Sequence, residues 1–262
     1  MKIAIVGYGK MGKMVERIAL DQDITVIAIV ESQLQEEIPP SGAPVYRTIA
    51  KAENLYEADA AIEFTQPGMA LANIKALAEM NIPAVIGTTG WLEHIDEARQ
   101  AVEQAGASLI WASNFSLGIN LFYRIAWYAS QLIDPFPEYD VGGFESHHSK
   151  KMDSPSGTAK TLVEGVLARM KRKEIAVWDT LDRCLAPDEL HFPSLRTGSV
   201  PGTHSLFFDS PADTIEIIHT ARSREGFASG AIRAARWLSG HDATSRHKGF
   251  FTIDDMLKDL FG

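Results

Sequence analysis

The first twelve residues, MKIAIVGYGKMG, restrict what this chain can fold into more than any other stretch. An apolar run at 3–6 leads straight into Gly7, Gly9 and Gly12, spaced as G-x-G-x-x-G, and a helical pattern follows at 11–21. A strand that turns at once into a helix satisfies that order. Gly7 makes the tight turn, Gly9 opens the backbone to close approach, and Gly12 lets helix and strand pack together. The new helix N-terminus carries unpaired N–H groups and the positive end of the helix dipole, a place suited to a pyrophosphate. Three glycines in six positions carry little weight alone; their place directly after the first strand gives the motif its force.

Glu31 agrees with this reading. It follows the strand-like run TVIAIV at 25–30, about twenty residues past the glycines, where a carboxylate accepts hydrogen bonds from an adenosine ribose. The same carboxylate repels a 2′-phosphate. Ser32 and Gln33 bring no cation, and Lys10 is the cation inside the turn. The expected cofactor is therefore NADH or NADPH, with NADH mildly favoured.

Further short apolar runs, AAIEF at 60–64, AVIG at 84–87 and SLIWA at 108–112, alternate with helical patterns at 68–80 and 92–105. Strands with little polar interleaving, separated by helices, predict a parallel, Rossmann-type doubly wound sheet covered on both faces. A long helical pattern at 117–133 marks the passage to a second part, and from about residue 140 the texture changes. The strand-like runs DVGGFES, LHFPSLRTG, THSLFF and DTIEIIHTA now follow one another, interrupted by a single helical stretch at 157–172. That pattern predicts an inserted α+β domain built on an antiparallel or mixed sheet. Helical spacing returns at 226–240, and TIDDMLKDLFG supplies a short last helix. The expected division is 1–117 plus 229–262 for dinucleotide binding, and 118–228 for substrate binding and oligomerisation.

A net charge of −9 argues against a nucleic-acid partner, which calls for a basic face. The single Cys184 rules out an intramolecular disulfide and suits a reducing compartment, and the expectation for it is a small packed apolar side chain. No secretory segment or membrane-length apolar run follows the opening strand, so the chain is read as cytoplasmic with no membrane partner.

The chemistry is expected in ESHHSKKMDSPSGTAK, residues 145–160. A strand ends at His147 and His148. Neighbouring strand residues point to opposite sides, so these two imidazoles do not jointly chelate a metal, and no zinc-ligand spacing occurs elsewhere. Ser156 is a suitable N-cap. Gly157 and Thr158 then present backbone N–H groups, and Thr158 a hydroxyl, at a helix N-terminus that suits a carboxylate. A merely well-capped helix accounts for Ser156 but not for His147, His148 and Lys151 just upstream.

This run resembles the signature of the dihydrodipicolinate reductase family, E-x-H-H-x-x-K-x-D-x-P-S-G-T, and every fixed position is present. GTTGW at 87–91, ASNFSLGIN at 112–120, and the later LRTGSVPGTHSLFF and IHTARSREGFASGAIRAARWL are similar to family segments as well. The resemblance implies NAD(P)H-dependent reduction of 4-hydroxy-tetrahydrodipicolinate in lysine and diaminopimelate biosynthesis. In that reaction a hydride adds to a conjugated imine, the resulting enamine takes a proton, and water is lost. It implies His147 as general acid/base and Lys151 as proton donor, with His148, Gly157 and Thr158 on a small dicarboxylate substrate. Histidine suits proton transfer near neutrality.

For the cofactor, the resemblance implies contacts at Gly7, Tyr8, Gly9, Lys10, Met11, Gly12 and Glu31. It adds Phe64, Thr65, Gly87, Thr88, Thr89, Ala112, Ser113, Asn114 and Phe115. It also implies a homotetramer joined through the second domain's sheet; the absence of metal-ligand spacing in the chain predicts no metal. Asp153 is expected to orient the loop or neutralise a lysine, and His191, His204 and His219 to be structural. The two domains are expected to close on substrate. Glu63 where the family often has aspartate, Gln66 where some members have arginine, and Thr203 in place of glutamate are departures. Aspartate or diaminopimelate dehydrogenases share this architecture, but the H-H-x-x-K…P-S-G-T run counts against them. A regulatory protein that has lost catalysis is disfavoured by the intact His147 and Lys151.

Overall fold

The computed structural model describes residues 1–33, 38–241 and 246–261, in two units. The first unit comprises Met1–Ser116 and Arg224–Gly262. Its strands are β1 (Lys2–Val6), β2 (Thr25–Val30), β3 (Val45–Tyr46), β4 (Ala60–Glu63), β5 (Ala84–Ile86) and β6 (Ser108–Trp111). Its helices so far are α1 (Lys10–Asp21), α2 (Pro67–Glu79) and α3 (Ile95–Ala105). Alternate residues of β1 show why both faces must be covered. Ile3 and Ile5 point one way, Ala4 and Val6 the other, and all four are at most 1% exposed. Ala4 and Val6 join Ile74 and Leu77 of α2 and Val102 of α3 in one core.

The second unit, Leu117–Ser223, opens with α4 (Leu117–Ile133) and continues through β7 (Asp140–His147) and α5 (Gly157–Leu167). Three short strands and a longer hairpin follow as β8 (Ile175–Val177), β9 (Glu189–His191), β10 (Ser194–Arg196), β11 (Thr203–Asp209) and β12 (Thr214–Thr220). The chain then re-enters the first unit with α6 (Glu225–Ser239), β13 (Gly249–Thr252) and α7 (Ile253–Phe261).

All pairings in the seven-stranded sheet of the first unit are parallel, in the order β13-β6-β5-β4-β1-β2-β3. From β1 the chain proceeds outward to β2 and β3, and then to the other side through β4, β5, β6 and β13. The order reverses between β1 and β4, which is where an open α/β sheet binds ligands, at the carboxyl ends of its strands.

In the second unit the four-stranded sheet runs β10-β7-β11-β12 and is mixed: β10 lies parallel to β7, while β11 is antiparallel to both its neighbours. Its core brings Ile119, Phe122 and Tyr123 of α4 together with Leu162, Val163 and Val166 of α5 and Leu206 and Phe208 of β11.

Several local expectations change. LHFPSLRTG is not one strand: Pro193 has no N–H to donate and Phe192 is wholly buried, so the run divides into β9, paired with β8, and β10, paired with β7. The helix expected over 157–172 stops at Leu167, because the chain turns to feed β8 and the Lys173 ammonium is drawn onto the carbonyls of Pro187 and Glu189 at 2.8 and 2.7 Å. The short strands β3, β8 and β13 are additions to the expected set. Cys184 is exposed rather than packed, since it lies in the loop between β8 and β9. Gly262, expected within the last helix, lies outside the described residues.

Candidate active site

In the first unit the glycine-rich turn is held by its neighbours' backbones. Gly7 has a φ of +90° and its N–H donates to the Val30 carbonyl at 2.8 Å. A Cβ on Gly7 would strike the Phe64 carbonyl oxygen, and one on Gly12 would strike the Gly7 carbonyl oxygen. At Gly9, which caps α1, a Cβ would meet nothing within 4 Å. Gly7 and Gly12 are therefore glycines for packing, while Gly9 fronts open space into which another molecule's phosphates fit.

That space belongs to a cavity of about 390 Å³ lined by Gly7, Gly9, Glu31, Phe64 and Thr65, among others. The Tyr8 N–H donates to Glu31 Oε2 at 2.8 Å and the Gln33 N–H to Oε1 at 3.0 Å, so the carboxylate is fixed at the cavity wall. Residues of this kind fit a dinucleotide: N–H groups for phosphates, a glycine cradle and an oriented carboxylate for ribose hydroxyls.

The remaining expected cofactor residues divide by role. Tyr8 is buried, its hydroxyl bonded to Glu16, while Lys10 and Met11 open α1. Gly87, Thr88 and Thr89 follow β5. A Cβ on Gly87 would overlap the Phe64 ring, and the Thr88 hydroxyl accepts the Thr65 N–H at 2.7 Å. Ala112 and Phe115 are buried after β6, and the Asn114 side chain accepts the Ser116 N–H at 2.8 Å. Glu63 is wholly buried. Burial pushes its carboxyl up, partly offset by hydrogen bonds from Thr65, Thr88 and Asn73.

In the second unit the organising residue is one the sequence reading left without a role. Glu145 sits on β7 two positions before His147, on the same face, and is completely buried. Register places Ser194 of β10 on one side of it and His204 of β11 on the other. Its Oε1 accepts the Ser156 N–H at 2.9 Å and the Ser194 hydroxyl at 2.6 Å. Its Oε2 accepts the Ser156 hydroxyl, with His204 Nε2 at 3.4 Å. The Arg196 guanidinium lies 3.4 Å from Oε1 and also donates to the Asp153 carbonyl at 2.6 Å. Burial alone would raise this carboxyl, but hydrogen bonds from His204, Ser156 and Ser194 outweigh it and hold Glu145 well below the usual carboxylate range.

His147 Nδ1 lies 3.3 Å from Glu145 Oε2 without hydrogen-bond alignment, and its ring meets the His204 ring edge-on at 5.2 Å. Burial is the largest influence on His147 and takes its pKa down to about 4. The Glu145 charge pulls upward, and His204, Lys151 and Arg196 press further down. Ligating atoms of Glu145, His147 and His204 come within 4.8 Å of one another. Both Glu145 oxygens are already occupied by donors and a guanidinium stands beside them, so the trio works as a hydrogen-bonded hub rather than a metal-ligand set.

The Ser156 hydroxyl also accepts the Ala159 N–H at 3.1 Å, capping α5. Gly157 and Thr158 at the same N-terminus keep N–H groups with no partner among the described residues. β7 ends at His147, so His148 starts the loop rather than closing the strand. The His148 carbonyl accepts the Lys151 N–H at 3.1 Å, and the Lys151 ammonium is held by both Asp153 oxygens at 2.8 and 2.9 Å. The structure thus brings His147 to the start of α5 through Glu145 and Ser156, and sets His148 and Lys151 in the intervening loop. His204 is buried against Glu145. The signal that identifies Glu145 was present as the i, i+2 spacing to His147; the parts of Ser194, His204 and Arg196 depend on register and left no local trace.

Comparisons with known proteins find relatives along the whole chain. A family profile described as "Dihydrodipicolinate reductase, N-terminus" matches residues 1–115, and one described as "Dihydrodipicolinate reductase, C-terminus" matches residues 118–257. A protein of Christiangramia forsetii named 4-hydroxy-tetrahydrodipicolinate reductase is 37% identical over 261 residues, spanning 100% of this chain and 99% of the relative. One of the same name from Archaeoglobus fulgidus is 34% identical, spanning 98% of this chain and 100% of its own. Among solved structures, a dipicolinate-bound dihydrodipicolinate reductase from Paenisporosarcina sp. TG-14 shares the fold, with a TM-score of 0.76 at 22% identity over 96% of this chain and 97% of that one.

Proposed function

Because the chain belongs to the dihydrodipicolinate reductase family, we propose that the Glu145 hub sets the proton-transfer groups and the carboxylate site of the family reaction in one rigid frame. That reaction is the NAD(P)H-dependent reduction of 4-hydroxy-tetrahydrodipicolinate to tetrahydrodipicolinate with loss of water, in lysine and diaminopimelate biosynthesis. When bound, the nicotinamide supplies the hydride. The N-terminus of α1, opened by Gly9, would hold its pyrophosphate and Glu31 its adenosine ribose, and the oriented Glu31 charge favours NADH mildly over NADPH.

One substrate carboxylate sits on the free Gly157 and Thr158 N–H groups and the Thr158 hydroxyl, and His148 binds the substrate beside it. Lys151, held by Asp153, donates a proton, and its charge offsets that of the dianion. His147 acts as general acid/base. It is neutral at pH 7 in the free protein, and an adjacent dianion opposes the effect of burial and draws its pKa upward. The observation that carries this reading is the wholly buried Glu145 accepting two hydrogen bonds from Ser156 while lying 3.3 Å from His147.

The test is oxidation of NADH and NADPH with substrate generated from pyruvate and aspartate semialdehyde. His147→Ala and Lys151→Ala should each lower kcat by about 10²–10⁴ and leave NADH affinity unchanged. Variants that keep wild-type kcat overturn the assignment.

Assembly into four copies through the second unit's sheet is supported by the exposed Leu195 of β10 and Ile218 of β12, which register sets on the sheet face away from its core; a single-chain mass in sedimentation equilibrium would refute it. Among the described residues no helix is long and apolar enough to cross a membrane, and a cytoplasmic site of action follows from the pathway.

A further inference from the structure

We infer that Arg47, contributed by the strand beside Glu31, is the residue that receives the 2′-phosphate of NADPH. The inference rests on the dinucleotide reading of the first unit and adds to it a residue that sets cofactor choice. No basic residue stands directly after Glu31 in the chain, and Lys10 is the cation inside the glycine-rich turn. The fold supplies another.

β2 and β3 pair in parallel with Ile29 opposite Val45 and Val30 opposite Tyr46, and the Glu31 N–H continues the ladder to the Tyr46 carbonyl at 2.8 Å. The next step of that register sets Glu31 beside Arg47. Both side chains leave the carboxyl ends of adjoining strands, and both line the cavity that Gly7 and Gly9 front. Among the described residues lining that cavity Arg47 is the one cation, and Lys10 is not one of them. Lys13, a turn further along α1, lies 5.6 Å from the Tyr8 ring centroid.

The charges on either side explain why this arginine matters. Glu31 is fixed by the Tyr8 and Gln33 N–H groups and does not swing away from an incoming anion. A 2′-phosphate placed at the ribose end therefore meets a stationary negative charge unless a cation stands next to it. Arg47 is exposed and makes no hydrogen bond or ion pair with any described residue. No described residue takes up its donors, and a planar guanidinium fits a phosphate through two parallel N–H bonds. Two adjoining side chains of opposite sign thus read the same position of the ribose: Glu31 accepts from a hydroxyl, and Arg47 donates to a phosphate. The pair admits both cofactors and retains the mild preference for NADH.

The test is equilibrium binding of NADH and NADPH to the full-length protein by fluorescence titration. The fragments ADP and 2′,5′-ADP serve as probes that lack the nicotinamide. Arg47→Gln should weaken NADPH and 2′,5′-ADP by about ten- to a hundredfold, the range for losing a hydrogen bond to a charged group. NADH and ADP should change less than about twofold, and Arg47→Lys should recover part of the NADPH affinity. Raising salt should weaken NADPH binding in the wild type and much less in Arg47→Gln.

Equal losses for NADPH and NADH in Arg47→Gln, or no loss for NADPH, overturn the assignment. A wild-type protein that binds NADH but not NADPH overturns it too, while leaving the dinucleotide site intact. Failure of the wild type to bind either cofactor removes the site itself and the inference with it.

Discussion

Ser156→Ala separates a capped helix from a helix tied to a buried carboxylate. The hydroxyl makes two bonds at once. It accepts the Ala159 N–H at 3.1 Å and donates to Glu145 Oε2. Losing an N-cap of this type costs about 0.5–2 kcal/mol. The second loss is of another kind. Oε1 keeps the Ser156 N–H at 2.9 Å and the Ser194 hydroxyl at 2.6 Å, but Oε2 is left with His204 at 3.4 Å and an unaligned His147 at 3.3 Å. A hydrogen bond to a buried charged group is worth about 1.5–3 kcal/mol.

Neighbouring effects of this sort do not add fully, so the expected total is about 2–4 kcal/mol, which a domain of ordinary stability survives. Urea unfolding at pH 7.5, followed by tryptophan fluorescence, measures it. Ser156→Gly serves as the companion, because glycine at an N-cap loses only a few tenths of a kcal/mol while removing the same donor to Glu145. It should still lose about 1.5 kcal/mol or more. KM for the dicarboxylate should rise in both variants while NADH affinity stays constant. Wild-type stability in Ser156→Gly, or a loss below about 0.5 kcal/mol in Ser156→Ala, refutes the reasoning that Glu145 depends on this hydroxyl.

Gly12→Ala places a methyl group on the Gly7 carbonyl oxygen. Overpacking of about 1–3 kcal/mol exceeds the gain of up to about 1 kcal/mol in helix propensity, so urea unfolding should show a net loss and titration a weaker NADH affinity. Gly68→Ala in α2, where a Cβ meets nothing within 4 Å, is the control and should not lose stability. The pH dependence of stability has a definite sign as well. His147 takes up its proton at 6.5 when unfolded but at about 4 when folded, so between those values the unfolded chain binds more protons. The stabilisation is complete above pH 6.5 and is lost as pH falls towards 4; Glu145, also lowered on folding, adds a loss of the same sign at lower pH. The urea midpoint should fall less steeply from pH 7 to pH 5 in His147→Ala than in the wild type, and parallel slopes would contradict the assignment.

Local pattern was enough to determine the glycine-rich turn and the central strands of the parallel sheet behind it. Gly7, Gly9 and Gly12 act on backbone a few residues away, and buried parallel strands must be apolar on both faces whatever surrounds them. The same holds for the H-H-x-x-K…P-S-G-T run, whose strand, loop and capped helix are consecutive in the chain. What only the tertiary structure decided is which charges meet. Ser194 and His204 come to Glu145 from β10 and β11 because strand register sets all three abreast, and Arg47 reaches the side of Glu31 because β3 pairs with β2. Register arises from the packing of whole faces against a core. A buried carboxylate's partners and the cation beside a cavity's carboxylate are therefore properties of the folded chain that no short spacing in the sequence encodes.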